Sequence, residues 1–227
     1  MKPVDKLGAA LLAMESALID LRYGAWIGGT PRPKPDSHVA VGAYSFTNTS
    51  YRVLEAIFRG RLHADDVLVD VGSGRGRVLN HWLHTGHRGP IHGLELDTRY
   101  AGQCARRLRR FSNVQVRTGD AIANLPPETT LCFLFNPFDR ANMLRFREAV
   151  LGTISDLYRL RVVYYAPTCL DVWSDDLRWD VAIHRLDLWS VRHQPERYRT
   201  YAVITCRNPT APDRRECAPD GGGITSG

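Results

Sequence analysis

Short apolar runs alternate with segments of helical periodicity along most of the chain. Runs of strand length lie at residues 67–71, 91–96, 114–118, 131–135 and 161–166. Helix-period segments follow at 78–83, 98–111 and 140–159, with a short turn or helix at 171–177. Uninterrupted apolar runs suit strands that are buried on both faces of a parallel sheet, and their alternation with helices is typical of an α/β domain. The pattern therefore predicts a doubly wound, mostly parallel sheet.

The last two apolar segments differ from the earlier ones. Residues 179–191 and 198–207 are longer, show alternating polarity, and are joined by a polar turn that contains Pro195. Two such segments in succession are typical of an antiparallel hairpin. Together with the five earlier runs they predict a seven-stranded, Rossmann-like α/β sheet whose last strand is antiparallel.

The N-terminal part reads as a helical segment. Apolar residues recur at steps of three and four over 4–23, at Val4, Leu7, Leu11, Met14, Leu18 and Leu21. We expect this amphipathic helix to cover the sheet edge or the ligand cleft, because its opposite face is not the basic face of a membrane-surface helix. A Pro/Gly-rich loop at 28–37 and a helix at 50–59 follow, the latter capped by Asn48, Thr49 or Ser50.

We divide the chain into an N-terminal helical segment with a possible lid (1–60), one α/β domain (61–207) and a polar tail expected to be disordered (208–227). The 227 residues contain 44% hydrophobic and 24% charged residues, as is ordinary for a globular protein. No apolar run approaches the roughly 20 residues of a membrane span, and no signal peptide is evident, so we expect a cytoplasmic protein. The net charge of +6 mildly favours an acidic partner.

Neither the cysteines nor the histidines indicate a metal site. The cysteines are odd in number and dispersed, which also argues against a disulfide framework. His81, His84 and His87 are spaced by three, but these positions drift around a helix, and Gly86 interrupts it. The arginines of 106–110 are interpreted as a solvated helix face rather than as a nucleic-acid footprint.

The clearest candidate chemistry lies directly after the first strand. Asp70 is followed by Gly72, Ser73, Gly74 and Gly76, and then by the first helix-period segment. Glycine has no Cβ and tolerates positive φ, so this bend allows a close approach of the backbone to a ligand. A carboxylate at this position would repel a pyrophosphate and attract a ligand that carries an ammonium and a sulfonium group. S-adenosylmethionine (SAM) is such a ligand.

Polar residues also follow the next three strands. Glu95 and Leu96 end the second strand, and Glu95 lies 23 positions after Gly72. Asp120 and Ala121 follow the third strand. The fourth ends at the segment 136–138 (Asn-Pro-Phe). The carboxyl ends of parallel strands lie at one edge of a sheet, where ligands bind in open α/β folds. We therefore expect these residues to form one site.

The segment Val-Asp-Val-Gly-Ser-Gly-Arg-Gly at 69–76 resembles the first motif of class I, seven-strand SAM-dependent methyltransferases. With the later Phe-Asn-Pro-Phe it is similar to a bacterial branch that is distantly related to non-SET histone-lysine methyltransferases. The resemblance implies that SAM is the cofactor and that its methionine part lies on the glycine loop near Asp70. It also implies that Glu95 binds the ribose and that Asp120 and Ala121 bind the adenine.

The resemblance also implies an acceptor site. Asn136, Pro137 and Phe138 resemble the motif of methyltransferases that act on planar nitrogens, in which the Asn side chain and the following carbonyl accept hydrogen bonds from the target NH₂ and the ring stacks on the acceptor. In the related branch a tyrosine segment, here with Tyr44, folds over the cofactor. We therefore expect direct, in-line transfer to nitrogen, on a small molecule or a protein side chain.

Other functions stay open at this point. An oxygen acceptor would need a general base, for which Asp139, His38 and His193 are candidates without distinctive spacing. A Rossmann-like enzyme that binds NAD is a second alternative. A non-catalytic SAM-fold subunit that binds nucleic acid is a third, and steep salt dependence of its affinity would identify it.

Overall fold

The computed structural model describes residues 3–28 and 49–208, and the side chains from residue 8 onward except that of residue 9. One mixed seven-stranded sheet forms its centre, in the order β3-β2-β1-β4-β5-β7-β6. The strands are β1 (Leu68–Val71), β2 (Ile91–Glu95), β3 (Val114–Thr118), β4 (Leu131–Phe135), β5 (Arg161–Tyr165), β6 (Trp179–Arg185) and β7 (Thr200–Cys206). The helices are α1 (Pro3–Arg22), α2 (Tyr51–Phe58), α3 (Arg77–His84), α4 (Thr98–Leu108), α5 (Arg140–Thr153) and α6 (Asp171–Ser174).

The pairing of the strands confirms the predicted fold class. β1 to β5 run parallel, and β7 is antiparallel to both of its neighbours, β5 and β6. Asp70 on β1 lies opposite Gly93 on β2 and Phe133 on β4. This register brings the carboxyl ends of β1, β2 and β4 to the same edge of the sheet.

Two predicted elements end earlier than the apolar pattern indicates. α5 stops at Thr153 rather than near 159, because Asp156 turns the chain by accepting the N–H groups of Tyr158 and Arg159 at 3.1 and 3.3 Å. β6 stops at Arg185, and short 3₁₀ helices at Trp189–Val191 and Glu196–Arg199 form much of the connection to β7. The hairpin is present, but its connection is longer than the predicted turn.

The sheet separates two apolar layers. α2, α3 and α4 pack on one face around residues such as Leu54, Trp82 and Leu108. α5 and α6 pack on the other face around Phe146 and Trp173. The central strands β1, β4 and β5 are buried on both faces, which explains their nearly uninterrupted apolar sequences. Within the described ranges no helix has the length and apolar character needed to cross a membrane.

Helix α1 is present where the sequence predicts it, but its predicted apolar face does not cover the sheet. Leu11, Met14, Leu18 and Leu21 are 52–61% exposed. The adjoining face, with Ile19 and the fully buried Asp20, packs inward instead. The periodicity identifies the helix correctly, whereas a buried charged residue decides which side contacts the domain.

Asp20 attaches α1 to the domain through a buried ion pair. Its carboxylate accepts hydrogen bonds from Arg77 Nη2 at 2.6 Å and from the Tyr51 hydroxyl at 2.7 Å. Arg77 is the first residue of α3, and its side chain is only 10% exposed. Asn80, also on α3, donates to the Tyr51 hydroxyl at 3.1 Å. The network joins α1, α2 and the helix that begins at the glycine loop.

We expect Asp20→Asn to lower the free energy of unfolding by about 3–5 kcal/mol, because it leaves the Arg77 guanidinium buried without its counter-charge. Urea unfolding followed by circular dichroism measures this loss. Glu15→Gln on the same helix is the control, since its pair with Arg52 is exposed and should be worth no more than about 1 kcal/mol. Equal effects of the two substitutions would contradict the role of Asp20.

Candidate active site

The loop between β1 and α3 takes a conformation that glycine favours. Gly72, Gly74 and Gly76 have φ values of +78°, +53° and +83°. The N–H groups of Gly72 and Ser73 donate to the Leu94 carbonyl at 2.8 and 3.0 Å, and the Gly76 N–H donates to the Ser73 carbonyl at 2.7 Å. The loop is therefore tied to the end of β2 and folded back on itself, with left-handed residues at alternate positions.

Close packing also favours glycine at two positions, Gly76 in the loop and Gly93 on β2. A Cβ on Gly76 would lie 2.3 Å from the Cys104 Sγ atom on α4. A Cβ on Gly93, in the middle of β2, would lie 2.8 Å from Ser73 Oγ. The absence of a side chain at Gly93 leaves space for the Ser73 side chain of the loop. No sequence motif identifies this role of Gly93.

Arg107 on α4 stabilises the glycine loop through hydrogen bonds. Its Nη2 donates to the Arg75 carbonyl at 2.7 Å, and its Nη1 donates to Asn80 Oδ1 at 2.7 Å and to the Tyr23 carbonyl at 2.8 Å. The sequence pattern predicts a solvated face for this arginine, and that prediction is wrong. Its neighbours Arg106, Arg109 and Arg110 are exposed, but Arg107 is half-buried and structural.

Two carboxylates lie at the ends of β1 and β2. Glu95 accepts the N–H groups of Gly74 and Asp97, each at 2.7 Å, so its side chain supports the glycine loop and the start of α4. Asp70 is 3% exposed. Burial, and then the nearby charge of Glu95, raise the pKa of Asp70 well above its usual value of 3.8. The ionised form of Asp70 is therefore disfavoured in this environment, and a cation bound beside it would stabilise that form.

The residues after β3 continue this edge of the sheet. The N–H of Gly119 donates to the Glu95 carbonyl at 3.0 Å, which brings Asp120 beside the end of β2. Asp120 is exposed, and its Oδ1 accepts the Ile122 N–H at 3.0 Å. Ala121 is buried, whereas Leu96 at the end of β2 is 38% exposed. The predicted ribose and adenine residues thus lie at adjoining strand ends.

The segment 136–138 lies at the end of β4, next to the glycine loop. A Cβ on Gly72 would lie 3.5 Å from Pro137 Cβ. Asn136 has a φ of +46°, in the left-handed region. The half-buried ring of Phe138 packs against Phe146 on α5 with a centroid distance of 5.4 Å.

The orientation of the Asn136 amide follows from its neighbours. The Tyr164 hydroxyl accepts the N–H groups of Thr168 and Cys169 at 3.2 and 3.4 Å, so its own hydrogen is donated to Asn136 Oδ1 at 3.0 Å. The Thr168 hydroxyl also contacts Oδ1. Both acceptor positions of this oxygen are thereby used, and the NH₂ group is the part of the amide that points away from Tyr164 and Thr168. The side-chain oxygen of Asn136 is therefore not free to accept a hydrogen bond from a target NH₂, contrary to the role that the resemblance implies.

Two of the three candidate bases lie among the described residues. Asp139 caps α5 by accepting the Asn142 N–H at 2.9 Å, and His193 is exposed beside Arg192. His38 and Tyr44 lie outside the described residues. No group of three or more potential metal ligands occurs within 3–28 and 49–208. His81 is instead a core residue, and burial lowers its pKa to about 4.

We expect Gly76→Ala to destabilise the protein and weaken ligand binding at the loop, because the added methyl group meets Cys104 in addition to the cost of a left-handed alanine, about 1–2 kcal/mol. Gly86→Ala is a matched control, since Gly86 has a φ of +84° and nothing lies within 4 Å of the position that its added methyl group would take. Chemical unfolding measures the difference. Identical losses would show that the contact with Cys104 is unimportant.

The raised pKa of Asp70 gives stability a defined pH dependence. The folded chain holds a proton on Asp70 at pH values where the unfolded chain has lost it, so this contribution to stability is complete below pH 3.8 and is lost as pH rises through the folded-state pKa. We expect the stability of the parent protein relative to Asp70→Asn to fall by up to about 1.4 kcal/mol per pH unit in that window. Unfolding curves from pH 4 upward measure this slope, and parallel profiles would contradict it.

Comparisons with known proteins agree with this geometry at the level of the fold. No family model matches the sequence. No curated protein matches it either. A methyltransferase from Pyrococcus furiosus superposes with a TM-score of 0.57 at 14% identity, covering 85% of this chain and 96% of the other. An RNA methyltransferase from Salinibacter ruber in complex with S-adenosylhomocysteine gives 0.53 at 18% identity, covering 74% and 97%.

A methyltransferase from Podospora anserina, also bound to S-adenosylhomocysteine, gives a TM-score of 0.53 at 13% identity, covering 71% of this chain and 80% of the other. These similarities cover most of this chain and agree with the fold described above. The chain has the Rossmann-like fold of class I methyltransferases.

Proposed function

We propose that this protein is a SAM-dependent methyltransferase. The observation that carries the proposal is the pair of carboxylates, Asp70 and Glu95, at the ends of neighbouring strands beside a loop with three left-handed glycines. The raised pKa of Asp70 supports the same idea, because a bound cation would stabilise the ionised carboxylate. SAM carries an ammonium and a sulfonium group, whereas a pyrophosphate would be repelled.

The residues at the loop fit such a cofactor. Ser73 Oγ is buried beside Gly93 of β2 and has no hydrogen-bond partner among the described residues. Gly72 is exposed and adjoins Pro137, which leaves its main chain open to close approach. We assign the methionine part of SAM to Gly72, Ser73, Gly74 and Gly76, with Asp70 toward its ammonium group.

The adenosine part is assigned to the next two strand ends. Glu95 is the proposed ribose ligand, with Leu96 beside it. Asp120 would accept a hydrogen bond from the adenine amino group through its exposed carboxylate, and the Ala121 N–H would donate to the ring. The structures with bound S-adenosylhomocysteine noted above have the same fold, which supports the choice of ligand.

Asn136, Pro137 and Phe138 are proposed to border the methyl acceptor. When bound, SAM supplies an electrophilic methyl group on its sulfonium. The task of the protein is then to exclude water and to hold the acceptor in line with that group. Pro137 adjoins Gly72, so this segment meets the loop that would hold the reacting end of the cofactor.

A nitrogen acceptor is favoured over an oxygen acceptor. Transfer to oxygen needs a base to take the hydroxyl proton, and the nearby carboxylate of Asp139 is engaged as a helix cap. A neutral nitrogen can attack without prior deprotonation. The acceptor is proposed to be a small molecule or a protein side chain. A nucleic acid is a second candidate, supported by the fold shared with an RNA methyltransferase.

The proposal is tested with thermal-shift and calorimetric titrations of SAM, S-adenosylhomocysteine, NAD and NADP. We expect the two adenosyl ligands to stabilise the protein. Glu95→Gln should weaken them about 10- to 100-fold, because it removes a charge-assisted hydrogen bond. Glu148→Gln on the exposed side of α5 is the control. Stabilisation by NAD without any effect of SAM would overturn the proposal in favour of an oxidoreductase.

A further inference from the structure

A pocket lies near the amino ends of β2 and β3. It has a volume of about 340 Å³ and is lined by three arginines (Arg22, Arg88 and Arg110) and three rings (Tyr23, His87 and Phe111), among other residues. Arg22 ends α1, His87 and Arg88 precede β2, and Phe111 precedes β3. The pocket therefore adjoins the amino ends of β2 and β3, whereas the candidate cofactor residues lie at their carboxyl ends. A strand of five residues separates the two edges by about 16 Å.

The charged side chains that line the pocket are all positive. No Asp or Glu is among its lining residues in the described part of the chain. Arg22, Arg88 and Arg110 are all exposed at its rim. Burial lowers the pKa of His87, although the hydrogen bond between its Nε2 and the Asp66 carbonyl, at 3.1 Å, acts in the opposite direction. The positive potential therefore comes from the guanidinium groups, which stay charged at every physiological pH.

One of these guanidinium groups is held in place. Arg110 Nη2 donates to the Arg22 carbonyl at 2.6 Å. The same guanidinium lies over the Phe111 ring, 4.9 Å from its centroid. A stacked and hydrogen-bonded arginine loses little freedom when it binds an anion, and its planar fork matches the oxygens of a phosphate. The pocket is thus partly organised for an anionic ligand before one binds.

The walls indicate that the ligand is larger than a phosphate ion. The rings of Tyr23, which is only 5% exposed, and of the half-buried Phe111 lie 5.8 Å apart and form part of an apolar wall with Leu83. A volume of about 340 Å³ is within the range for organic ligands, about 300–1,000 Å³. Arginines next to aromatic surface are the combination that binds nucleotides, with the phosphate on the charge and the base on the rings.

We propose that this pocket binds a nucleotide unit through its phosphate, at Arg22, Arg88 and Arg110. The site goes beyond the proposed methyl transfer, since it lies at the opposite edge of the sheet from the glycine loop. The phosphate can come from a nucleic-acid strand or from a free nucleotide, and the arms of the experiment separate these two sources.

The experiment measures binding to the full chain without cofactor by fluorescence anisotropy. The probes are a labelled single-stranded RNA of about 12 mixed nucleotides, within the usual site size of single-strand binders, and, in competition or calorimetry, AMP and inorganic phosphate. The test variants are Arg22→Gln/Arg110→Gln and Arg88→Glu. The matched control is Arg106→Gln/Arg109→Gln, which removes the same charge from exposed arginines outside the pocket.

We expect the double variant and Arg88→Glu each to weaken binding at least about 10-fold, and the control to weaken it no more than about threefold. For a strand, the slope of log Kd against log salt should also fall by about 0.7 for each phosphate that is no longer neutralised. Tight RNA binding with weak AMP binding identifies a strand as the source, whereas AMP binding of equal strength identifies a free nucleotide. Binding of inorganic phosphate alone would reject the nucleotide.

Two further results would overturn the proposal. One is the absence of binding by any probe at low salt, about 50 mM, where electrostatic binding is strongest. The other is an equal loss in the pocket variants and the control, which would mean that only net charge matters. If the double variant is less stable on heating, Arg88→Glu decides the question, because Arg88 is exposed.

Discussion

The shape of the glycine loop depends on a guanidinium group that lies outside it. Arg107 donates to a carbonyl in the loop, to a side chain on α3 and to the carbonyl of Tyr23 just beyond α1. Without Arg107, the carbonyl of Arg75, which lies between the left-handed Gly74 and Gly76, would lose this hydrogen bond. The arginine fork can satisfy several acceptors at fixed angles, which a lysine cannot do. A structural residue of α4 thus determines the conformation available to a ligand on β1.

The loop also shows how far the sequence alone defines the site. The strand order, the loop and the acidic residues at successive strand ends follow from local patterns, since apolar runs, glycines and strand-end carboxylates are visible one segment at a time. The sequence does not distinguish the structural role of Arg107 from the exposed positions of Arg106 and Arg109, because helical periodicity places all three near solvent. Only the position of α1 in the fold shows that Arg107 is the one that points inward.

Other features depend on distant contacts in the same way. In the sequence, Gly93 is only an interruption of an apolar strand. The fold shows why glycine is needed there, because Ser73 Oγ lies 2.8 Å from the position that a Cβ would take. Asp20 reads as part of a polar helix face, whereas it is fully buried against a partner 57 positions along the chain. Periodicity reports the average environment of a helix face, and a single ion pair can reverse which face packs.

The attachment of α1 has a consequence for how the protein can be divided. A fragment that began at β1 would contain every glycine and carboxylate of the candidate site. It would lack Asp20, however, and the buried guanidinium of Arg77 at the start of α3 would have no counter-charge. Such a fragment would carry an unpaired buried charge in the first turn of α3. Shortened versions of this protein therefore have to begin upstream of Asp20.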